Sequence, residues 1–583
     1  MAQRIAIILG AFSMLIGGAP NSSALEIKNQ SHFRRPVELA LVKDRLLLVA
    51  NQRSGSVSIV DTKERRVDRE VKIGKRLAGL ALSSDGRTLA VVDESASELV
   101  LLAVQNDSLH ELSRLAVSTT PVSVSFAADD SRVFVGSLWS RRLTIVDVTH
   151  RNKPTIAHVL DLPFAPRNQL GLPDGETLLV ADSFGGRLAL VNTKNIQLRG
   201  LRTIVGHNIR GLGLSSNGES LFIPHQVLHS EKLTTEGGVH WGGVLSNVVR
   251  NVSISELTSK KTGPLTEVGT LFYLGHPDDA TGDPTVMLSL KDGRQIVSYA
   301  GISQVAISDR GVNYYKRVNV GRRPSALVLS KNEKRLFVAN TFSDSISIID
   351  VDSAKLVADI PLGPQPRATL VDDGEMLFYD ARLSSDGWYS CNSCHPNGHT
   401  NGGLNDNFGD DSYGAPKRVL SLLGVSKTGP WAWNGSVDRL EKQVKKSIET
   451  TMQGPPPTDH QIKALTAYLR TLQPPPALAR ARNELDLESV NRGRALFERK
   501  NCADCHERPN YTNVGVFDVG VRDELGQRDF NPPSLLGVSQ LDRLFHDNRS
   551  GSLRETFAKL KHGLDKQLSV EQLNDLVAYL SSL

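Results

Sequence analysis

Cysteine is almost missing from this chain. Its 583 residues include four, and all four fall in two short stretches, Cys391-Asn392-Ser393-Cys394-His395 and Cys502-Ala503-Asp504-Cys505-His506. None is left over for a disulfide framework. Methionine is nearly as scarce, with five in all and none beyond Met452. Neither sign of charge dominates. The 68 Lys and Arg against 63 Asp and Glu leave +5, with no long run of one sign and no finger spacing, which argues against a nucleic-acid binder. Long apolar runs are missing as well, save at the N-terminus. There Arg4, the apolar Ile5–Gly18 and the small Ser22-Ser23-Ala24 read as a secretory signal, residues 1–24, cleaved after Ala24. Its apolar part is shorter than the ~20 residues a membrane span needs. The expectation is an exported, soluble protein with no membrane span after signal removal.

Cys-x-x-Cys-His, present twice, is the attachment signature of c-type haem. Two thiols three positions apart can form thioethers to the two vinyl groups of one porphyrin, and the next histidine falls under the iron. Two covalent haem c groups are expected, on Cys391 and Cys394 and on Cys502 and Cys505, with His395 and His506 as proximal ligands. A single zinc site built from both pairs would leave both histidines unused. Haem c is attached outside the bacterial cytoplasmic membrane, so the signal and the motifs agree on a periplasmic protein.

Residues 25–380 are built from repeats. Val49-Ala50-Asn51 with Ser56-Val57-Ser58-Ile59-Val60-Asp61 returns as Val338-Ala339-Asn340 with Ser345-Ile346-Ser347-Ile348-Ile349-Asp350. A unit of turn, strand, short turn and strand recurs, its first strand at Leu46–Ala50, Thr88–Val92, Arg132–Gly136, Thr177–Ala181, Ser220–Pro224, Gln295–Tyr299 and Arg335–Ala339. Turns such as Ser84-Asp85-Gly86 and Ser216-Asn217-Gly218 supply the positive φ that tight hairpins need. Seven units predict a seven-bladed β-propeller of four-stranded blades. Arg367–Phe378 echoes the pattern; a strand that closes the ring is the favoured expectation, with an eighth blade or the lead into the haem region as alternatives. A long insertion near 225–262 holds His225, His229, His240 and Trp241. It is expected to touch the haem region, with each histidine a structural one; no carboxylate or thiol partner for a metal is evident there. No catalytic constellation marks the propeller, which reads as a docking platform.

The rest of the chain is duplicated. Cys391 to Cys502 is a shift of 111 residues, Ala467-Tyr468-Leu469 to Ala578-Tyr579-Leu580 is again 111, and Ser421–Ser426 returns as Ser534–Ser539 at 113. Two cytochrome c units are expected, 381–476 and 477–583. Each ends in an amphipathic helix, with Ile462, Leu465, Leu469 and Leu472 on one face of the first and Val570, Leu573, Leu576 and Leu580 on the second. Val490, Leu496 and Phe497 mark a helix leading to Cys502. Pro474-Pro475-Pro476 and Arg480–Glu488 link the units. The fold class is therefore multidomain, an all-β propeller followed by mainly α tandem cytochrome c domains.

Several stretches carry a resemblance: Asn531-Pro532-Pro533-Ser534-Leu535, Phe545-His546-Asp547, Ser552-Leu553 with Glu555, Trp433-Asn434-Gly435-Ser436 and Leu440-Glu441-Lys442-Gln443. With the paired motifs, they make the C-terminal region similar to the bacterial di-haem cytochrome c peroxidase family, which includes the di-haem enzyme of methylamine utilisation. The propeller resembles those with YVTN-type repeats, here Phe337-Val338-Ala339-Asn340. The resemblance implies a peroxidase-like oxidoreductase, in which one haem takes electrons from a donor protein, a small cytochrome or cupredoxin, and the other reduces hydrogen peroxide. It implies coupling through tryptophan, with Trp388, Trp431 and Trp433 as candidates, a structural or propionate-contacting His546, and a calcium ion whose ligands have no assignment here. His399 reads as a loop histidine. It also implies a distal glutamate and glutamine in the first unit and a distal methionine in the second. Gln443 fits the glutamine, but the nearest carboxylate, Glu449, lies three residues early, and the second unit has no methionine. Met452 and His562 are then the candidate distal ligands. The alternative is a non-enzymatic electron-transfer cytochrome, both haems six-coordinate, that docks its partner on the propeller.

Overall fold

The computed structural model describes residues 30–583 apart from 106, 260–262, 265–268 and 310–314. The expected signal lies outside the described residues. Among those residues no helix is long and apolar enough to cross a membrane.

Seven antiparallel sheets follow one another, spanning residues 36–72, 77–116, 121–161, 166–203, 213–274, 284–319 and 324–361. Each runs through four strands in chain order, and the fourth gains a short parallel strand at Gly263–Pro264. This is a seven-bladed propeller. The strands read from the sequence as the first of each unit are the second of each blade, because the innermost strand carries a mixed apolar and polar pattern. Its polar residues pair between neighbouring blades, as Ser123, Ser125 and Gln169 do: Gln169 Nε2 donates to Ser123 Oγ at 2.7 Å and Ser125 Oγ to Gln169 Oε1 at 3.1 Å.

The repeat has a physical cause. Asn51 at the end of one strand donates to Ser56 Oγ and Ser58 Oγ on the next, at 3.0 and 2.8 Å. Asn340 does the same to Ser345 and Ser347, at 3.1 and 2.8 Å. These residues are buried, and a buried polar group is tolerated when it is hydrogen-bonded. The motif is thus a polar staple inside a valine- and isoleucine-rich sheet, in which the asparagine amide nitrogen is bonded while its oxygen has no partner among the described residues.

The ring closes without a late strand. Residues 370–378 form a helix, capped by Thr369 and Asp372, which leads into the cytochrome region. Closure comes from packing of the first blade on the seventh, where Leu39, Leu47 and Val49 share a core with Phe337, Ala339 and Ile346. The hydroxyls of Thr341 and Ser325 donate to Pro36 O at 2.9 and 3.2 Å.

Much of the expected insertion is blade. Ser220–Leu228 and Leu245–Ser253 are long paired strands of the fifth sheet, and a short helix, Glu236–His240, crosses between them. This hairpin meets the cytochrome region as expected. Thr234 N donates to Asp406 O at 3.1 Å, Gln453 Nε2 to Thr234 O at 2.7 Å, and Trp388 Nε1 to His240 O at 3.0 Å. His225 Nδ1 meets Ile223 O at 3.0 Å and His229 Nε2 meets Ser246 Oγ at 3.1 Å. The carboxylate that the sequence did not place beside His240 is Asp386, 2.7 Å from its Nδ1, with Asp278 close by.

The two C-terminal units are built alike. In the first, helix Leu370–Phe378 crosses helix Asp459–Leu469; in the second, Leu487–Arg499 crosses Val570–Leu580. Leu472 lies beyond its helix and Val570 is 75% exposed, so the apolar faces are narrower than the sequence periodicity gave. Leu573, Leu576, Tyr579 and Leu580 form the buried face of the second. The linker docks on the third blade: Arg482 Nε donates to Ser140 O at 2.8 Å and Thr119 Oγ1 to Ala481 O at 2.8 Å. Farther on, Asp542 is held by Arg141 and Arg187 of the propeller.

Candidate haem sites

The first motif is a single helical turn, Cys391–Cys394, clamped to the propeller. Ser390 and Ser393 form its capping box. Their hydroxyls also donate to Asp283, at 2.5 and 2.6 Å, from the start of the sixth blade. His207 Nε2 meets Ser393 O at 3.0 Å. Sequence reasoning missed this clamp. The available signal was an Asp-Pro step, Asp283-Pro284, at the position where other blades begin with Arg35-Pro36, Thr120-Pro121 and Arg323-Pro324.

Behind the turn lies a cavity of about 320 Å³. Cys391, Cys394 and His395 line it together with Trp431, Gln443 and Met452. Burial pushes both thiols up to about 12. His395 is pushed down to about 4 by burial, which keeps its ring neutral, and its Nδ1 has no hydrogen-bond partner among the described residues. Uncharged thiols, a neutral imidazole and apolar walls fit a covalently attached porphyrin.

Gln443 reaches the cavity from helix Leu440–Lys446. Its Nε2 donates to Ser447 Oγ at 3.1 Å, while its buried Oε1 is unpaired among the described residues. The helix continues as one wide π-turn, Ser447–Thr451, a local underwinding common at functional sites. Met452 follows, buried and on the cavity wall. Glu449 is not brought there: it is absent from the lining residues, and its carboxylate lies 3.7 Å from Lys445 on the helix surface. The wall carboxylate is Asp410, 3.4 Å from Lys417.

In the second unit, burial pushes the Cys502 thiol up to about 11 and raises that of Cys505 as well. His506 is pushed down to about 4 by burial. Its Nδ1 meets Tyr511 O at 3.2 Å, which assigns the proton to Nδ1 and leaves the Nε2 lone pair as a metal donor. His562 is near enough to His506 to depress its pKa further. Burial lowers His562 itself, and its Nδ1 is buried and unpaired. Phe545 packs edge-on against the His562 ring at 5.2 Å. The structure therefore gathers Cys502, Cys505, His506 and His562 in one unit.

The tryptophans separate by place. Trp433 lies at the junction of the units: its Nε1 donates to Arg418 O at 2.9 Å, and its ring meets Phe530 at 6.5 Å and His546 at 6.2 Å. Trp431 lines the first cavity. Trp388 packs instead on the propeller, against Gly242. His546 is buried and stacked on Phe530 at 4.3 Å. His399 is also more than a loop residue. It is buried between Ser421 Oγ, at 3.0 Å, and the rings of Trp139 and Phe184 of the propeller.

Residues 368–481 match the family model for di-haem cytochrome c peroxidase, and residues 490–583 that for cytochrome c. Residues 368–481 are thus similar to the di-haem cytochrome c peroxidase family, and the unit behind them to cytochrome c. Methylamine utilization protein MauG of Methylorubrum extorquens is 26% identical over 283 residues, covering 38% of this chain and 79% of that protein. Cytochrome c551 peroxidase of Nitrosomonas europaea is 24% identical over 311 residues, 43% of this chain and 92% of that one. Hydrazine synthase subunit gamma of Kuenenia stuttgartiensis is 24% identical over 276 residues, 37% and 78%. The C-terminal region thus joins a segment similar to di-haem cytochrome c peroxidases, a peroxidase-like oxidoreductase class, to a cytochrome c-like unit, behind a propeller.

Proposed function

We propose that this protein is a periplasmic di-haem peroxidase. Cys391 and Cys394 attach one haem and Cys502 and Cys505 the other, with His395 and His506 as iron ligands. Bound haem supplies single-electron carriage and an iron at which hydrogen peroxide is reduced, drawing on a donor protein, a small cytochrome or cupredoxin. The observation that carries this reading is the first cavity, where Gln443 Oε1 is buried, unpaired and fixed by the Nε2 bond to Ser447. A buried acceptor without a donor costs about 1–3 kcal/mol, and a peroxide O–H would satisfy it. Gln443 therefore orients the substrate. It cannot take up or release a proton, and Glu449 would have to leave Lys445 to do so.

A second reading rests on Met452 and His562. A thioether on the first cavity wall and an unpaired imidazole near His506 are both suited to closing the sixth position of an iron. Both closed, the protein would pass electrons without peroxide chemistry, and the propeller would dock its partner. Electron paramagnetic resonance of the haem-loaded protein separates the two. A high-spin ferric signal, in the oxidised or the half-reduced protein, is expected for the peroxidase. Low-spin iron throughout both states would sink it.

A further inference from the structure

The propeller end that faces the first haem motif holds more positive charge than it neutralises. The innermost strand of each blade starts there, and in five of the seven an arginine lies at or within three residues of that start: Arg35, Arg76, Arg167, Arg210 and Arg323. Two are accounted for. Arg35 is buried against Phe33 and Phe342, and Arg76 pairs with Glu94 at 3.0 Å. The other three have no carboxylate within ion-pair distance among the described residues.

What they have instead is sparse. With its amide oxygen turned to them, Asn397 accepts from Arg167 Nη1 at 3.0 Å and Arg210 Nη1 at 3.2 Å. Arg210 also donates through Nε to Asn208 Oδ1, while its Nη2 is buried without a partner among the described residues. Arg323 lies 3.5 Å over the Tyr379 ring. The buried carboxylate nearby, Asp283, is engaged by Ser390 and Ser393. Burial pushes Arg210 down to about 9 and lowers Arg167, and the guanidiniums repel one another. Beside this group opens a cavity of about 210 Å³ that shares Arg323 and Tyr379, with Arg322, Arg382 and His460 on its wall. The carboxylates on that wall are already paired, Asp380 with Arg382 at 2.6 Å and Asp373 with His460 at 3.1 Å.

Guanidinium forks match acceptors that carry two oxygens on one centre. A cleft of one sign with low-dielectric walls concentrates counter-ions. We propose that the propeller mouth binds a small dianion of oxyanion or dicarboxylate chemistry on Arg167, Arg210 and Arg323. The three arginines come from the propeller, with Asn397 and Tyr379 of the cytochrome region against them, and the proposal does not depend on which reaction the haems perform.

Titration calorimetry on the full-length, haem-loaded protein tests it, with sulfate, phosphate and succinate each compared with chloride at constant ionic strength. Saturable one-site binding is expected for at least one anion, with Kd below about 1 mM. Which one binds tells an inorganic oxyanion from a carboxylate. Arg210→Gln should weaken it by about tenfold or more, and the exposed Arg66→Gln should leave it unchanged. No binding by any of the three, or equal Kd in both variants, overturns the proposal. Should Arg210→Gln not fold, the wild-type melting temperature decides. A rise that saturates at submillimolar anion supports the site, and a rise that only grows over hundreds of millimolar, as general salting-out does, refutes it.

Discussion

An amide oxygen without a donor and a buried histidine without a charge are the two residue types from which predictions follow at this scale. Gln443 is legible from its place after Trp433-Asn434-Gly435-Ser436, and the structure brings it to the first cavity. Glu449 is not legible in the same way. A count of residues along a helix assumes 3.6 per turn, and the π-turn at Ser447–Thr451 rotates the side chains off that register. If Gln443 holds peroxide, Gln443→Ala lowers kcat/KM for peroxide by about 10²-fold, as loss of one oriented hydrogen bond does, and leaves the affinity for the electron donor unchanged; stopped-flow kinetics with varied peroxide and donor would show the split. Histidine burial has its own consequence. His225 is wholly buried in the fifth blade, and burial pushes it down to about 4, below the ordinary value near 6.5. The unfolded chain therefore takes up this proton first as the pH falls. The stability His225 confers as a neutral ring is complete above pH ~6.5 and is lost progressively toward pH ~4, by about 1.4 kcal/mol per pH unit. Denaturant unfolding at several pH values in that window should give a shallower acid slope for His225→Gln than for the parent, and equal slopes would show that His225 titrates normally.

Elements were legible in proportion to how well their period separated helix from strand. The blades announced themselves because the Asn-to-Ser staples and the Asp-Gly turns recur with the fold. The stretch 367–378 misled because a run of Leu370, Val371, Met376, Leu377 and Phe378 is too short for its period to decide. The overlooked signal was the cap, Thr369 with Asp372, which starts a helix and has no use in a strand. Nor did periodicity disclose how the helices cross. At each crossing a glycine meets a backbone carbonyl: a Cβ on Gly374 would lie 1.9 Å from Ala464 O, and one on Gly493 1.9 Å from Asp575 O. The two units thus repeat the same contact, which no hydrophobic pattern encodes. Gly374→Ala and Gly493→Ala should each force the helices apart at a cost of about 1–3 kcal/mol or more. Each is expected to lower haem incorporation in its own unit and spare the other, read from the haem-to-protein ratio and the separate redox waves; equal haem content in parent and variants would mean that the crossing can shift freely.

At the scale of the whole molecule, the sequence suggested a propeller beside two cytochrome units, while the structure makes the propeller part of the haem region's scaffold. Asp283 and His207 fix the first motif, Asp542 ties the second unit to Arg141 and Arg187, and His399 sits between both. None of this was readable, since contacts between residues some 100 to 400 positions apart leave no local pattern. The arrangement also sorts the tryptophans. Trp388 belongs to the propeller contact, through its bond to His240 O. Trp433 belongs to the junction of the two units, where Arg418 lies over its ring at 5.4 Å and its N–H satisfies the Arg418 carbonyl. An aromatic ring spanning that junction shortens any path for an electron moving between the units. On the di-haem reading, Trp433→Phe should slow passage of an electron from one haem to the other by roughly tenfold or more, a loss of about 1.4 kcal/mol in the barrier. Trp388→Phe should leave that rate alone and instead lower the melting temperature, because it strips a hydrogen bond from the propeller contact. Flash reduction followed by time-resolved absorbance of the two haems reads the first, and calorimetry the second. An unchanged inter-haem rate in Trp433→Phe would move the electron path to the backbone and side chains around Arg418 and His546.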